Sequence, residues 1–478
     1  MSRDGRGLTL SLISHTNVGK TTLVRTLLRR DVGEVRDQPH VTDENEQFVL
    51  AETAEGRAVL WDTPGFGDSA RLLRRLRSQH NPLSWMLAQV WDRFADRPLW
   101  CSQQAVKNAR EEADVILYLV NAAEDPTLAG YVDAEMQILD WIGRPVVVLL
   151  NQTGAPRGPD ARRADEARWR AHVASHPVVR DVVDLDALSR CWVQEGVLLE
   201  RIRAALPAEG RSVIDALIAG WRDQSLAAFG RSMDVLARLL AAAASHGEPL
   251  PRGVRSARSR RHALDRLGAS LDSAIRAASA ELVTLQGLEG AAAAEIKARL
   301  ADVSAPGDRP EPWKAGVVGG IAGGALGGLA ADLAAGGLTF GAGTVLGALL
   351  GAMGAGGLAW GYQMLEGETE PRVTWSDEFL ARQARDGLLR YLAVAHFGRG
   401  AGEYRHREQP ALWRDAADRA LARRARELKD IWRLARSPRG ADPRAELVAH
   451  LAAQLEAATA EVLAALYPEA ERLLERPR

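Results

Sequence analysis

The run Ser14-His15-Thr16-Asn17-Val18-Gly19-Lys20-Thr21 has the composition of a loop that holds phosphate. It follows the Walker A spacing, with Ser14 standing where that pattern has its first glycine. Gly19 lets the main chain come close to an anion, Lys20 reaches the β- and γ-phosphates, and the Thr21 hydroxyl can ligate magnesium. Main-chain N–H groups from Ser14 through Thr22 are expected to cradle the phosphates, because a helix N-terminus leaves such donors unpaired. Farther along, Asp62-Thr63-Pro64-Gly65 sets an acidic side chain beside a glycine. A carboxylate there can hold a magnesium-bound water, and the Gly65 N–H can sense a γ-phosphate. The chemistry implied is nucleotide binding and phosphoryl transfer.

Such residues work only if the chain positions them. Leu8 to Ile13 reads as a strand and Lys20 to Arg30 as a helix, with apolar Leu23, Val24, Leu27 and Leu28 at helical spacing. Strand, loop and helix therefore arrive in the order a phosphate loop needs. A second strand, Arg57 to Trp61, leads directly into Asp62, and further apolar strands are expected at Val115 to Val120, Val146 to Leu150 and Val178 to Leu185.

Together the two motifs resemble the Era/TrmE-like GTPases of bacteria. The resemblance implies an α/β P-loop GTPase domain over 1–205, with a mostly parallel sheet and helices on both faces. It implies GTP and GDP as ligands, magnesium as cofactor, and hydrolysis involving Lys20, Thr42 and Gly65. Thr42, in Pro39-His40-Val41-Thr42, is the candidate switch threonine that closes on magnesium with Thr21 and Asp62. Two departures bear on mechanism. Phe66 occupies the position where Ras-like enzymes carry a glutamine, and an apolar side chain cannot orient water by hydrogen bonding. Some GTPases of that kind use potassium held partly by a P-loop asparagine, and Asn17 matches that position. Potassium-stimulated hydrolysis is the resulting expectation, the alternative being that Asn17 only stabilises the loop.

Base recognition departs further. Asn151-Gln152-Thr153-Gly154 falls where GTPases carry Asn-Lys-x-Asp. Asn151 keeps its identity, Gln152 replaces the lysine that packs along the base, and Gly154 replaces the aspartate that accepts from guanine. Asp186-Ala187-Leu188 falls where a Ser-Ala-Lys loop contacts the base, and only Ala187 keeps its identity. Losing a group built to hydrogen-bond one base relaxes the preference for it. GTP is the expected nucleotide, and ATP stays open.

The 478 residues are enough for two or three domains, 26% are charged, and the formal net charge is -1, which argues against bulk nucleic-acid binding. Two cysteines, Cys101 and Cys191, allow no disulfide framework and no cysteine-based zinc site. The polar stretch Met1 to Gly7 lacks the apolar core of a signal peptide, so the nucleotide domain is expected in the cytoplasm. Aromatic Trp85, Trp91, Phe94 and Trp100 lie in an unusually long stretch after Asp68, read as an extra packed helix or an extended switch that docks a partner.

Beyond the nucleotide domain the pattern turns helical, and an all-α half with a Gly/Ala-rich hairpin is expected. Residues 206–312 form one helical region, which contains the basic run Arg252, Arg255, Arg258, Arg260 and Arg261. Residues 313–364 are rich in glycine and alanine, with Gly316, Gly320, Gly324 and Gly328 at a four-residue interval. Such spacing lets helix backbones pack closely, and each half is long enough to cross a bilayer core. Trp313, Lys314, Trp360 and Tyr362 flank the tract as interface anchors would. A membrane-associated hairpin is the expectation, with a soluble packed hairpin or a flexible segment as the alternatives. Residues 365–478 again read as amphipathic helices. The leading expectation is a regulatory GTPase at the inner face of the cytoplasmic membrane, partnered by the membrane or a membrane protein. Two alternatives remain: an RNA- or ribosome-associated GTPase, and a nucleotide-binding scaffold with little turnover.

Overall fold

The computed structural model describes residues 7–16, 18–28, 45–53, 56–78, 80–82, 84, 96–153, 157–187, 191–250, 257–288, 362–365, 371–397, 410–437 and 444–475. Asn17, Thr42, Gly154, Trp85, Trp91, Phe94 and nearly all of the 313–364 tract lie outside them. The chain forms two compact units, one comprising Met1–Ser225, His396–Tyr404 and Tyr467–Arg478, the other Leu226–Ala395 and Arg405–Leu466.

The first unit is built on β1 (Gly7–Ser14), α1 (Lys20–Leu28), β2 (Glu46–Thr53), β3 (Gly56–Asp62), α2 (Ser69–Arg77) and α3 (Arg97–Glu111). It continues through β4 (Val115–Asn121), α4 (Gly130–Ile142), β5 (Val146–Asn151), α5 (Pro159–His172), β6 (Val179–Asp184) and α6 (Trp192–Ala205). Its sheet has the order β2-β3-β1-β4-β5-β6. Every pairing is parallel except β2 with β3. β4 and β5 read as unbroken apolar runs because helices cover both faces of a parallel sheet.

The pleat sorts the side chains. Leu8, Leu10 and Leu12 join Leu23 and Val24 of α1 and Leu198 and Ile202 of α6 in one core layer. Ile13 belongs to the opposite layer with Leu72 and Leu76 of α2, Val106 of α3 and Ile138 of α4. Ser11 faces that second side and donates to Asn108 Oδ1 at 2.6 Å, which satisfies a polar group in the middle of the sheet. β1 is flanked by β3 and β4, so the strand order reverses there. In an open α/β sheet the crevice at the carboxyl ends of such strands is where ligands bind.

The long helix α7 (Arg211–Ser245) spans the division between the units, which falls at Ser225–Leu226. The second unit then contains β7 (Gly247–Pro249), α8 (Ala257–Leu285), β8 (Tyr362–Leu365), β9 (Arg372–Trp375) and α9 (Asp377–Ala395). It closes with α10 (Ala411–Ala422), α11 (Ala425–Ala435) and α12 (Arg444–Leu466). This half is largely helical, as expected, but it is not purely so. A small antiparallel sheet of order β7-β9-β8 crosses it, and the last residues of the glycine-rich tract, from Tyr362, are extended rather than helical because they pair with β9. Within α12 the stretch Ala445–Leu466 has a mean hydropathy of 1.2, long and apolar enough to span a bilayer by composition alone. Leu447, Leu451, Leu455, Ala458 and Val462 are buried, as on the inner face of a core helix.

Candidate functional site

β1 ends at Ser14 and α1 begins at Lys20, so the phosphate loop sits at the sheet's switch point. Gly19 has φ +91°, and a Cβ there would come 2.8 Å from Asn151 Nδ2. Both the left-handed backbone and the close approach demand glycine. Lys20 Nζ donates to Ser14 Oγ at 3.0 Å, and the Ser14 hydroxyl turns back to the His15 carbonyl. A serine is therefore accommodated where the motif has glycine. Burial lowers the Lys20 pKa, and the Asp62 and Glu135 carboxylates oppose that shift. Lys20 is thus a fixed, nearly desolvated cation, the kind of group that stabilises phosphate charge without reorganising.

Asp62 ends β3 directly beside Leu12 of β1. Its Oδ2 accepts from Thr21 Oγ1 at 2.7 Å. Burial pushes the Asp62 carboxyl up to about 6, against the pull of Lys20 and the Thr21 hydrogen bond. Its other oxygen, Oδ1, is buried with no hydrogen-bond partner among the described residues. The Thr21 hydroxyl and the single Asp62 carboxylate, one of its oxygens orphaned, are hard oxygen donors of the kind magnesium takes. Among the described residues there is no group of three or more His, Cys, Asp or Glu suited to a metal.

The segment after β3 is fastened to β1. Thr63 Oγ1 donates to the Leu12 carbonyl at 2.7 Å, and the Phe66 N–H donates to the Ser14 carbonyl at 2.9 Å. Gly65 lies so close to the loop that a Cβ would fall 3.0 Å from Lys20 Nζ and 3.1 Å from Thr16 Cα. Phe66 is fully buried in the core layer of α2, α3 and α4, and its ring has no polar atom to hold a water. His15, bridged to Phe66 through the backbone, turns its ring to α4. Its Nδ1 lies 2.7 Å from Glu135 Oε1, its ring stacks on Tyr131 at 4.4 Å, and Glu135 Oε2 accepts from the Tyr118 hydroxyl at 2.7 Å.

On the base side Asn151 acts as a clamp. Its Nδ2 donates to the Val18 carbonyl at 2.6 Å, and its Oδ1 accepts from the Ala187 N–H at 2.8 Å. Thr26 of α1 adds a bond to the Ala187 carbonyl at 3.0 Å. Gln152 takes φ +58°, rare for a residue with a side chain and a mark of a constrained site. Asp186 Oδ2 accepts from the Thr153 N–H at 2.7 Å and from its hydroxyl at 3.0 Å.

Of the residues expected from the sequence, Ser14, His15, Thr16, Val18, Gly19, Lys20, Thr21, Asp62, Gly65, Asn151 and Ala187 are linked by these contacts. Thr22 lies in the first turn of α1 and Gln152 just after β5. Asn17 and Thr42 fall outside the described residues. Sequence reasoning missed Glu135, whose signal was a carboxylate in an otherwise apolar helix face. It also passed over Asp186, a carboxylate on the very loop expected to meet the base.

A family model described as "50S ribosome-binding GTPase" matches residues 9–152, and one described as "Domain of unknown function (DUF3482)" matches residues 179–456. GTPase Der of Xanthomonas oryzae pv. oryzae is 27% identical over 205 residues, which is 42% of this chain and 35% of that protein. GTPase Era of Heliobacterium modesticaldum is 29% identical over 143 residues, covering 30% of this chain and 38% of that protein. The chain thus spans little more than a third of the length of these relatives. A crystal structure of Aquifex aeolicus Era bound to GDP.AlF4- aligns with a TM-score of 0.32 and 20% identity, covering 42% of this chain and 57% of that one. The DUF3482 model covers more than half of the chain, which therefore belongs to that family, and a P-loop GTPase domain similar to Era and Der stands at its front.

Proposed function

We propose that this protein binds GTP and GDP with magnesium, hydrolyses GTP, and uses the cycle as a regulatory switch. The observation that carries this reading is the Thr21–Asp62 pair, with Asp62 Oδ1 orphaned, beside the buried Lys20. Thr21 and Asp62 would hold magnesium, which when bound supplies charge to neutralise the phosphates. Lys20 draws the β- and γ-phosphate oxygens to itself, and the close-set Gly65 offers its N–H to the γ-phosphate. Phe66 does not orient water, so potassium held in part by Asn17 is proposed to replace some of the missing charge. The test is GTP turnover with magnesium in potassium or sodium salts. Turnover is expected to be several-fold faster in potassium, on the order of a lost electrostatic contact, and to vanish in Lys20→Ala. Absence of GTP binding by the wild-type chain overturns the reading; equal rates in both salts overturn the potassium part alone.

The helical half is proposed to couple nucleotide state to the inner face of the cytoplasmic membrane or to a membrane protein, supported by the glycine spacing and aromatic flanks of 313–364. Complete release of the protein by carbonate extraction of membranes counts against insertion. A second reading, ribosome or RNA association, is favoured by the description of the family that matches 9–152 and by the similarity to Era. Co-sedimentation with ribosomes, weakened by raised salt, would support it.

A further inference from the structure

The first unit contains a cavity of about 300 Å³ between its sheet and the helices on one face, lined entirely by residues of Met1–Ser225. None of Ser14 to Thr21, Asp62 or Asn151 borders it, so it is separate from the phosphate loop. Leu10, Leu60 and Leu117 form its floor, one from each of three neighbouring strands. Leu27 at the end of α1, Leu198 of α6 and Leu217 of α7 wall it, and β2 borders it from Val49 to Glu52. Trp221 of α7 completes the wall. Its Nε1 donates to Glu195 Oε2 at 3.2 Å, and a Cβ at Gly196 would collide with its ring, so glycine there lets the indole seat closely. Glu195 therefore serves to fix the wall. Among the described residues that line the cavity there is no lysine or arginine, and the ionisable ones are Glu52 and Glu195.

We propose that this cavity binds a small, uncharged, largely hydrocarbon molecule of about ten carbons. The site goes beyond the nucleotide reading and does not depend on it. Volume sets the size of the guest. An apolar cavity of about 150 Å³ takes up one benzene ring, and this one is roughly twice as large. A mostly apolar lining with a few polar groups is also the usual form of a small-molecule site. Enclosure sets the kind of guest, because a floor of strands and walls from three helices admit one slender molecule and offer no flat face to a protein. The lining sets its charge. An anion would lose its water here beside carboxylates, with no cation to pair with it. The pinned Trp221 ring keeps the space shaped before the guest arrives, which lowers the cost of binding.

A series of straight-chain alcohols from hexanol to dodecanol, with decanoate as the charged comparison, tests the site. Binding to the full chain without nucleotide should be measured by calorimetry for the wild type, Gly220→Leu and Leu27→Ala. Affinity is expected to rise about fourfold with each added methylene and to level off near ten carbons, when the space is full. Decanoate should bind about tenfold more weakly than decanol, or less. Gly220 borders the cavity, and a Cβ there meets nothing within 4 Å, so a leucine side chain has room to enter. Gly220→Leu should weaken decanol binding about tenfold or more while its melting temperature holds or rises, since leucine favours a helix over glycine. Leu27→Ala enlarges the space and should move the levelling point to longer chains, a gain that misfolding cannot produce. Affinity that climbs with length without levelling, or that Gly220→Leu leaves unchanged, overturns the site, as does a wild type that binds none of the alcohols. Decanoate binding as tightly as decanol overturns the choice of an uncharged guest.

Discussion

His15 on the phosphate loop and Glu135 in the middle of α4 meet at 2.7 Å, Nδ1 to Oε1. The contact fixes the orientation of the imidazole ring. Glu135 is wholly buried and takes its second bond from Tyr118. Because the His15 backbone is bridged to Phe66, this contact ties α4 to both the phosphate loop and the segment after Asp62.

Removing one partner of that contact leaves a buried polar group short of a bond. His15→Ala is expected to cost about 1–3 kcal/mol of unfolding free energy. Adding Glu135→Gln to it should cost less than the sum of the two single changes. Urea denaturation of the two single variants and the double variant measures the coupling. Strict additivity would mean that the two side chains do not support each other.

On the proposed reading Asp62 serves a ligand rather than the fold. Its carboxylate is buried beside a hydroxyl that an amide oxygen could accept from equally well. Asp62→Asn is expected to leave the nucleotide-free protein as stable or more stable, by up to about 3 kcal/mol, because a desolvated charge is removed. The same change should abolish the gain in GTP affinity that magnesium provides. Melting curves without nucleotide, alongside titrations with and without magnesium, separate the two effects.

Asp184 ends β6, and burial pushes its carboxyl up to about 7 even though Arg162 lies 3.6 Å away and pulls the other way. The guanidinium is too distant to offset the lost hydration. A folded-state value above the unfolded one means that the folded chain holds the proton more tightly. Stability is then greatest below pH 4 as far as this group is concerned, and it falls as pH rises toward 7, by up to ~1.4 kcal/mol per pH unit. Denaturant midpoints across that range should decline less steeply in Asp184→Asn.

Tyr467 closes the first unit from far along the sequence. Its ring lies 4.4 Å from the Arg162 guanidinium, and its hydroxyl meets His396 Nε2 at 2.7 Å. Tyr467→Ala is expected to cost about 3–5 kcal/mol, as for other buried aromatics, and Tyr467→Phe about 1 kcal/mol. Arg162 also pairs with Asp184, two residues before Asp186, so the alanine variant should weaken nucleotide binding as well. Thermal unfolding and a GDP titration check both. Unchanged GDP affinity would show that the contact is only structural.

Much of the nucleotide domain was legible because its signals are local. Apolar runs marked β1, β3, β4, β5 and β6, and Lys20, Thr21 and Asp62 sit in motifs whose spacing is set by a single loop. The edge strand β2 was not read, since Glu46–Thr53 mixes polar and apolar residues without clear alternation. β7, β8 and β9 are three or four residues long, too short for any period to register. Glu135 and Asp186 escaped for a different reason: what they do is set by partners brought from other parts of the chain by the sheet.

The return of residues 396–404 and 467–478 to the first unit bears on how the protein is made. Synthesis delivers β1 through α6 early, yet Arg162 and Asp184 must wait for Tyr467 until all of the second unit has been translated. Contacts so distant in sequence form late and slowly. The first unit is therefore complete only after Tyr467 has been made, so the helical segments of the second unit precede its last contact in the order of synthesis.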